Sequence, residues 1–239
     1  MGTLFSPTRQ DVERYQQLRA ANVKLSQRIL ETVPKKAWDD IGDAIGILRD
    51  GVLVFDSEDM VGVLGDCLLY NWFQNGKNVV QLFASTHVMN SGSDEDVVLR
   101  ACLSAKYRIL KVQSALPGAG IYCQDLLSGF ELFLMDVGMS KTATKGYSVA
   151  TRTLPIDEYW VTGGAGLPID KETPIDEARR QLERDYPDLV EAPDGMALPI
   201  VRACLAAGAG DRVRYEGAGT RPMKPRRIGH LPPKKPRYR

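Results

Sequence analysis

The stretch from Tyr107 to Leu154, YRILKVQSALPGAGIYCQDLLSGFELFLMDVGMSKTATKGYSVATRTL, constrains the fold more than any other part of the chain. Short apolar runs alternate there with glycine-bearing turns, the signature of consecutive antiparallel strands. The pattern predicts strands over residues 107–112, 121–123, 130–137 and 147–154, with a short fifth over 159–161. The turns fall at Pro117-Gly118-Ala119-Gly120, at Asp125–Gly129 and at Lys141–Gly146. In the second turn the short polar side chains of Asp125 and Ser128 bond nearby backbone groups, and Gly129 supplies a positive φ. Strands this short, joined this closely, cannot leave both faces in water. They imply a small curled sheet or an SH3-like or OB-like barrel, or a sheet packed on the preceding helices.

What precedes the strands reads as helical. Val12, Tyr15, Leu18, Val23, Leu25, Ile29 and Leu30 recur at helical spacings over 8–30, and Pro34 bounds the helix. Trp38, Ile41, Ile45 and Leu48 repeat the spacing, and the run VLVF at 52–55 fits either a buried strand or part of a helical hairpin. Ser57 to Phe73 reads as a helix capped by Ser57 and stopped by Gly76, followed by helices over 79–88 and 93–105, the latter opened by a Ser93/Asp96 capping box. After a Gly-rich loop at 162–169, Thr173-Pro174 opens a helix that ends before Pro187, and a last helix over 197–207 stops at Gly208. The fold class is therefore α+β. The expected divisions are a helical region over 1–106, a small β domain over 107–170, a helical annex over 171–210 and a disordered basic tail over 211–239.

Charge is distributed unevenly. Arg221, Lys224, Arg226, Arg227, Lys234, Lys235, Arg237 and Arg239 are the basic residues of 221–239, which contains no acid. Removing these eight from the 31 basic residues leaves 23 against 30 acidic ones, so the rest of the chain carries −7. Five prolines between Pro222 and Pro236 accompany the cations, and such a segment cannot bury enough surface to fold alone. No apolar run reaches the ~18 residues of a membrane span, and residues 1–15 lack a signal-peptide pattern. A cytoplasmic location is expected. Cys67, Cys102, Cys123 and Cys204 are far apart in sequence and sit among apolar neighbours, which points to buried thiols rather than disulfides. With only His87 and His230 beside them, no metal site is expected, and no cofactor.

The runs GDCLLYNWFQNGKNVVQLF, LRACLSAKYRILKVQ and GIYCQDLLSGFELFLMDVGMSKTATKGYSVATRTLP resemble an uncharacterised bacterial family. Its core is a helical segment followed by a small β unit with a pattern like L-x-D-L-L-x-G-E-x-x-x-V-x-D. Residues Gln124 to Glu131 and Val137 to Ser140 carry the match, which covers roughly residues 60 to 165. Members often bear a SEC-C zinc knuckle, and this chain lacks that Cys-rich cluster, so zinc binding is not carried over. The resemblance implies a fold and no particular reaction.

Catalytic patterns are weak. Ser140 lacks the flanking glycines of a nucleophile elbow, and no spacing ties His87 to it or to a cysteine. Of Asp125, Glu131 and Asp136, the last two fall on opposite strand faces. Neither Gly163-Gly164-Ala165-Gly166 nor Gly208-Ala209-Gly210 leads into a helix, as a phosphate-binding loop does. The eight tail cations are the sharpest functional signal, since they could neutralise phosphates along a nucleic-acid backbone without reading sequence. The leading expectation is a binding protein that engages nucleic acid or a nucleoprotein through those residues. The alternatives are an adaptor whose acidic body and basic tail mediate assembly with a protein partner or as a homo-oligomer, and an enzyme of unrecognised type.

Overall fold

The computed structural model describes residues 5–209 apart from 56, 58 and 165. Helix α1 (Arg9–Leu30) starts at Thr8, whose hydroxyl accepts from the Asp11 N–H while the Asp11 carboxylate takes the Thr8 N–H at 2.7 Å. That reciprocal pair satisfies two donors that a helix start leaves orphaned. Tyr15, Leu18, Leu25 and Ile29 form its buried face, as their spacing predicts. Helices α2 (Lys35–Ala44), α3 (Asp59–Asn71), α4 (Val79–Thr86) and α5 (Asp94–Leu103) follow. At α5 the Ser93 hydroxyl accepts from the Asp96 N–H, but the Asp96 carboxylate returns to the Gly92 N–H rather than to Ser93, so the expected capping box is only half formed.

Two small hairpins correct the helical reading of this half. Strands β1 (Leu48–Arg49) and β2 (Val52–Leu53) turn at Asp50-Gly51, and β3 (Phe73–Gln74) and β4 (Lys77–Asn78) turn at Asn75-Gly76. All four turn residues have φ between 51° and 74°, the left-handed pair that a tight hairpin requires. Gly76 thus turns a hairpin rather than stopping a helix. The run at 52–55 is no buried strand, since Val52 is 62% and Phe55 38% exposed.

Strands β5 (Lys106–Leu116), β6 (Gly120–Asp125), β7 (Glu131–Met135), β8 (Ser148–Ile156) and β9 (Tyr159–Thr162) close into a barrel. Neighbouring pairs are β5–β6, β6–β7, β7–β9, β9–β8 and β8–β5, and only β7–β9 is parallel. A short helix α6 (Met139–Thr142) lies between β7 and β8, where a polar turn alone is expected from sequence. Five strands in this Greek-key order give the OB-type barrel, which decides between the SH3-like and OB-like expectations. The interior holds Leu110, Val112, Ile121, Cys123, Leu132, Leu134 and Val149, one parity of each strand, with half-buried Trp160 packed against them. Gly120 leaves room for β7 beside it: a Cβ there would lie 2.2 Å from the Leu134 carbonyl oxygen.

The outward parity is just as apolar, because helices cover it. Phe133, Met135, Leu154, Ile156, Tyr159 and Val161 pack with α1, α4 and α5, and Tyr107, Ile109 and Ala150 pack with α2, α3 and the C-terminal helices. Phe5 reaches from before α1 onto the barrel, its ring 5.5 Å from Phe133 and 5.3 Å from Tyr159, while its carbonyl accepts from the Tyr122 hydroxyl at 2.9 Å. The Gly-rich loop contains a further strand, β10 (Leu167–Pro168), paired with β8. Helix α7 (Ile175–Asp185) has no side-chain cap, because the Thr173 hydroxyl is engaged by Asp170 instead. Helices α8 (Pro187–Glu191), not anticipated, and α9 (Ala197–Ala206) complete the described fold, and Gly208 (φ 76°) follows α9 where a stop is expected. Among the described residues no helix is long and apolar enough to cross a membrane.

Candidate functional site

Arg152 is the largest side chain buried to within 2% of its surface. Strand parity turns it out of the barrel toward α3, into a setting built to hold a cation. Its Nε donates to both Asp66 carboxylate oxygens at 3.3 and 3.4 Å, its Nη2 to Asn71 Oδ1 at 3.1 Å, and its Nη1 to the Asp194 carboxylate. The guanidinium carbon lies 4.2 Å from the Tyr70 ring centroid and 5.1 Å from that of Tyr107. Burial pushes the Asp66 carboxyl above its ordinary range and the Asp194 charge adds to the rise, with Arg152 opposing. Burial disfavours the charged guanidinium in turn, but the two carboxylates outweigh it and keep Arg152 protonated. The Gly-rich loop serves this cluster. Gly163 N–H donates to the Arg152 carbonyl at 2.9 Å, and a Cβ on Gly164 would come within 3.0 Å of Asp66.

Asp194 connects the buried clamp to the surface. It has a left-handed φ of 62°, accepts from the Tyr107 N–H at 3.0 Å through its carboxylate, and accepts from Asn71 Nδ2 at 3.2 Å through its carbonyl. Just before it, residues 185–189, 192 and 193 form one wall of a groove of about 550 Å³. The opposite wall is Lys36 and Asp40 of α2, Trp72 at the end of α3, and Phe73 and Gly76 of the β3–β4 hairpin. Three rings line it, Trp72, Phe73 and Tyr186, with the prolines Pro187 and Pro193. Three carboxylates lie along it: Asp40, paired with Lys36 at 2.6 Å, Asp185, paired with Arg184 at 2.9 Å, and Asp188. Trp72 Nε1 donates to Asp40 at 3.4 Å, and the Tyr186 hydroxyl donates to the Asp43 carboxylate, so each ring is fixed by its polar tip. The bond to Asp43, together with burial, pushes the Tyr186 hydroxyl up to about 12.

The residues singled out from sequence fall elsewhere. Ser140 donates to the Val137 carbonyl at 2.8 Å and accepts from the Gly118 N–H, which makes it a loop tie. His87 closes α4, stacked 3.9 Å from Phe83 with Nδ1 near the Phe83 carbonyl. Asp125 and Asp136 sit at opposite ends of the barrel. Asp125 pairs with Arg108 at 2.6 Å and accepts from Ser128 and Leu127 as its turn predicts, while Asp136 accepts from Met139 N–H and Thr162. Glu131 is exposed at the start of β7. All four cysteines are buried and free. Among the described residues no cluster of three potential metal ligands occurs. The eight tail cations, Arg221 to Arg239, lie outside the described residues. The walls of the groove come from residues 36 to 193, and no local sequence pattern announces a surface assembled across such separations.

No curated protein and no solved structure matches the chain. A protein family does, over residues 9–188, which take in α1 through the start of α8 and so the barrel, most of the helices that cover it and most of the groove. The chain therefore belongs to that family, described as a family of unknown function (DUF7986).

Proposed function

We propose that this protein is a non-enzymatic binding protein that takes up basic, proline-bearing polypeptide segments in the groove between α2 and α8. The observation that carries this reading is the lining itself: three rings, two of them held by their polar tips, two prolines, and the Asp188 carboxylate beside the Lys36–Asp40 and Arg184–Asp185 pairs. Proline-rich segments are extended before they bind, so they lose little entropy on docking, and aromatic rings set across a groove receive them. Carboxylates at the rim select cationic flanks and speed encounter. We place the protein in the cytoplasm of a bacterium, where four free buried thiols stay reduced.

The test uses a chain whose eight tail cations are replaced by glutamine, so that no internal segment competes. A labelled peptide of unrelated sequence containing arginine and Pro-x-x-Pro should bind it in fluorescence anisotropy, weakening with salt. Asp185→Lys/Asp188→Lys should weaken binding at least tenfold. Absence of binding at low salt, or binding indifferent to the double substitution, refutes the reading.

A second reading keeps nucleic acid or a nucleoprotein as the partner of Arg221 to Arg239, and the density of cations there favours it. OB-type barrels also commonly bind nucleic acid on the outer face of their second and third strands. Here that face is β6–β7, whose outward rings Tyr122 and Phe133 are covered by Phe5. The groove is the open surface, which ranks the polypeptide reading first.

A further inference from the structure

The groove and the chain's own C-terminal segment are complementary. Residues 221–239 contain Pro-x-x-Pro twice, as Pro222-Met223-Lys224-Pro225 and Pro233-Lys234-Lys235-Pro236. Each is flanked by cations, Arg221, Arg226 and Arg227 around the first and Arg237 after the second. Those are the two features the groove selects, spaced prolines for its rings and positive charge for Asp188, beside the Lys36–Asp40 and Arg184–Asp185 pairs. Reach is sufficient. Ala209 is buried in the same core as Leu182 of α7 and Leu198 of α9, the core against which Tyr186 and Leu189 of the groove wall pack. The twelve residues from 210 to 221 can span roughly 40 Å when extended.

We propose that the segment 221–239 docks in the α2–α8 groove of its own chain, so that the groove is closed to outside peptides until a competitor displaces the segment. The proposal rests on the groove's being a site for basic, proline-bearing polypeptide. Intramolecular docking has a definite consequence. A tethered ligand is present at an effective concentration in the millimolar range, far above any peptide added in trans. Displacement also frees the eight cations, so occupancy of the groove and availability of the segment for other partners are opposed.

The experiment compares two full-length proteins, wild type and the chain with eight tail cations changed to glutamine. Each is titrated with a labelled synthetic peptide of sequence 220–239. The glutamine chain should bind the peptide at least tenfold more tightly than wild type, because only wild type must first release its own segment. In parallel, wild type at low micromolar concentration is treated with a water-soluble carbodiimide and digested. Lys224, Lys234 or Lys235 should be found coupled to Asp185, Asp188 or Asp40 within monomeric protein. Equal affinities in the two chains overturn the inference while leaving the groove a peptide site. If neither this peptide nor the unrelated basic peptide binds the glutamine chain, both readings fall. Coupling found only in dimeric protein overturns docking within the chain and assigns the segment to a second copy. Coupling absent, with nucleic acid retained by wild type through low-salt purification, overturns it in favour of the nucleic-acid partner.

Discussion

Arg152→Met removes a cation and leaves behind the carboxylates assembled around it. The side chain is 1% exposed, and Asp66 beside it is nearly as buried, so water cannot replace the lost partner without opening the α3–β8 contact. Removing one member of a buried ion pair costs about 3–5 kcal/mol, because the remaining charge is stranded. The loss of the Tyr70 and Tyr107 ring contacts falls within that range. For a chain of this size it corresponds to a fall of roughly 6–20 °C in melting temperature. Urea unfolding followed by tryptophan fluorescence measures it directly. The deficit should also depend on pH, and the sign is fixed. Without Arg152 the folded-state pKa of Asp66 rises further above its unfolded value. The variant is then best tolerated at low pH, where Asp66 is protonated in both states, and loses stability as pH rises through the folded value. The gap from wild type should therefore be smaller at pH 5 than at pH 8. Asp66→Asn added to Arg152→Met should recover about 1–2 kcal/mol by removing the stranded charge. A deficit under about 1 kcal/mol, or one equal at pH 5 and pH 8, would refute the claim that Arg152 neutralises a buried carboxylate.

Three further substitutions probe the rest of the fold. In Asp125, burial is outweighed by bonds from Ser128, Leu127 and Arg108, which hold the carboxyl below its ordinary value. Its stabilisation is complete above the unfolded carboxylate pKa and lost as pH falls through the folded one, so Asp125→Asn should cost about 2–3 kcal/mol at pH 7 and flatten the acid limb of the stability profile below pH ~4, read from melting temperatures across that range. Gly120→Ala drives a methyl into the Leu134 carbonyl, backbone that cannot yield without parting β6 from β7, and should cost about 3 kcal/mol in urea unfolding. Phe5→Ala should cost about 1–2 kcal/mol and speed amide exchange in β6 and β7, since it uncovers Phe133 and Tyr159.

The barrel was legible in the sequence because its constraints are local. Each strand ends at a turn whose residues announce it, and the Asp125–Gly129 turn forms with the bonds its side chains predict. The two short hairpins were marked as well, by Asp50-Gly51 and Asn75-Gly76, the strongest short-range hairpin signal there is. The strands beside these turns are hidden in the sequence, because two residues carry no alternation and helical spacing dominates the flanks. Arg152 and the groove were illegible for a different reason. An arginine in a strand reads as a solvent-facing residue, and its burial depends on Asp66, Asn71 and Asp194, which are 42 to 86 positions away. Covering the barrel's outer face with helices also made both parities of β8 apolar or buried, which erased the alternation that would have located the outside.

The clamp and the groove meet at the loop 192–194, and that junction makes a last prediction. Ala192 and Pro193 line the groove, while the next residue, Asp194, is held from behind by Arg152, Asn71 and the Tyr107 N–H. Gly195 then passes so close to the Val190 carbonyl that a Cβ would lie 2.1 Å from it, so the segment closing α8 has little freedom to settle elsewhere. Strand β8 therefore positions the wall that carries Tyr186 and Asp188, although no residue of the barrel touches the groove. Arg152→Met and Asp125→Asn both break an ion pair on the barrel, but only the first releases Asp194. Placed in the chain with eight tail cations changed to glutamine, and compared at a temperature where both are fully folded, Arg152→Met should weaken binding of the basic peptide about tenfold. Asp125→Asn should leave it within about twofold, so about 1 kcal/mol of binding free energy separates the two outcomes. Equal weakening by both would mean that peptide binding follows global stability, and that the clamp does not set the geometry of the groove.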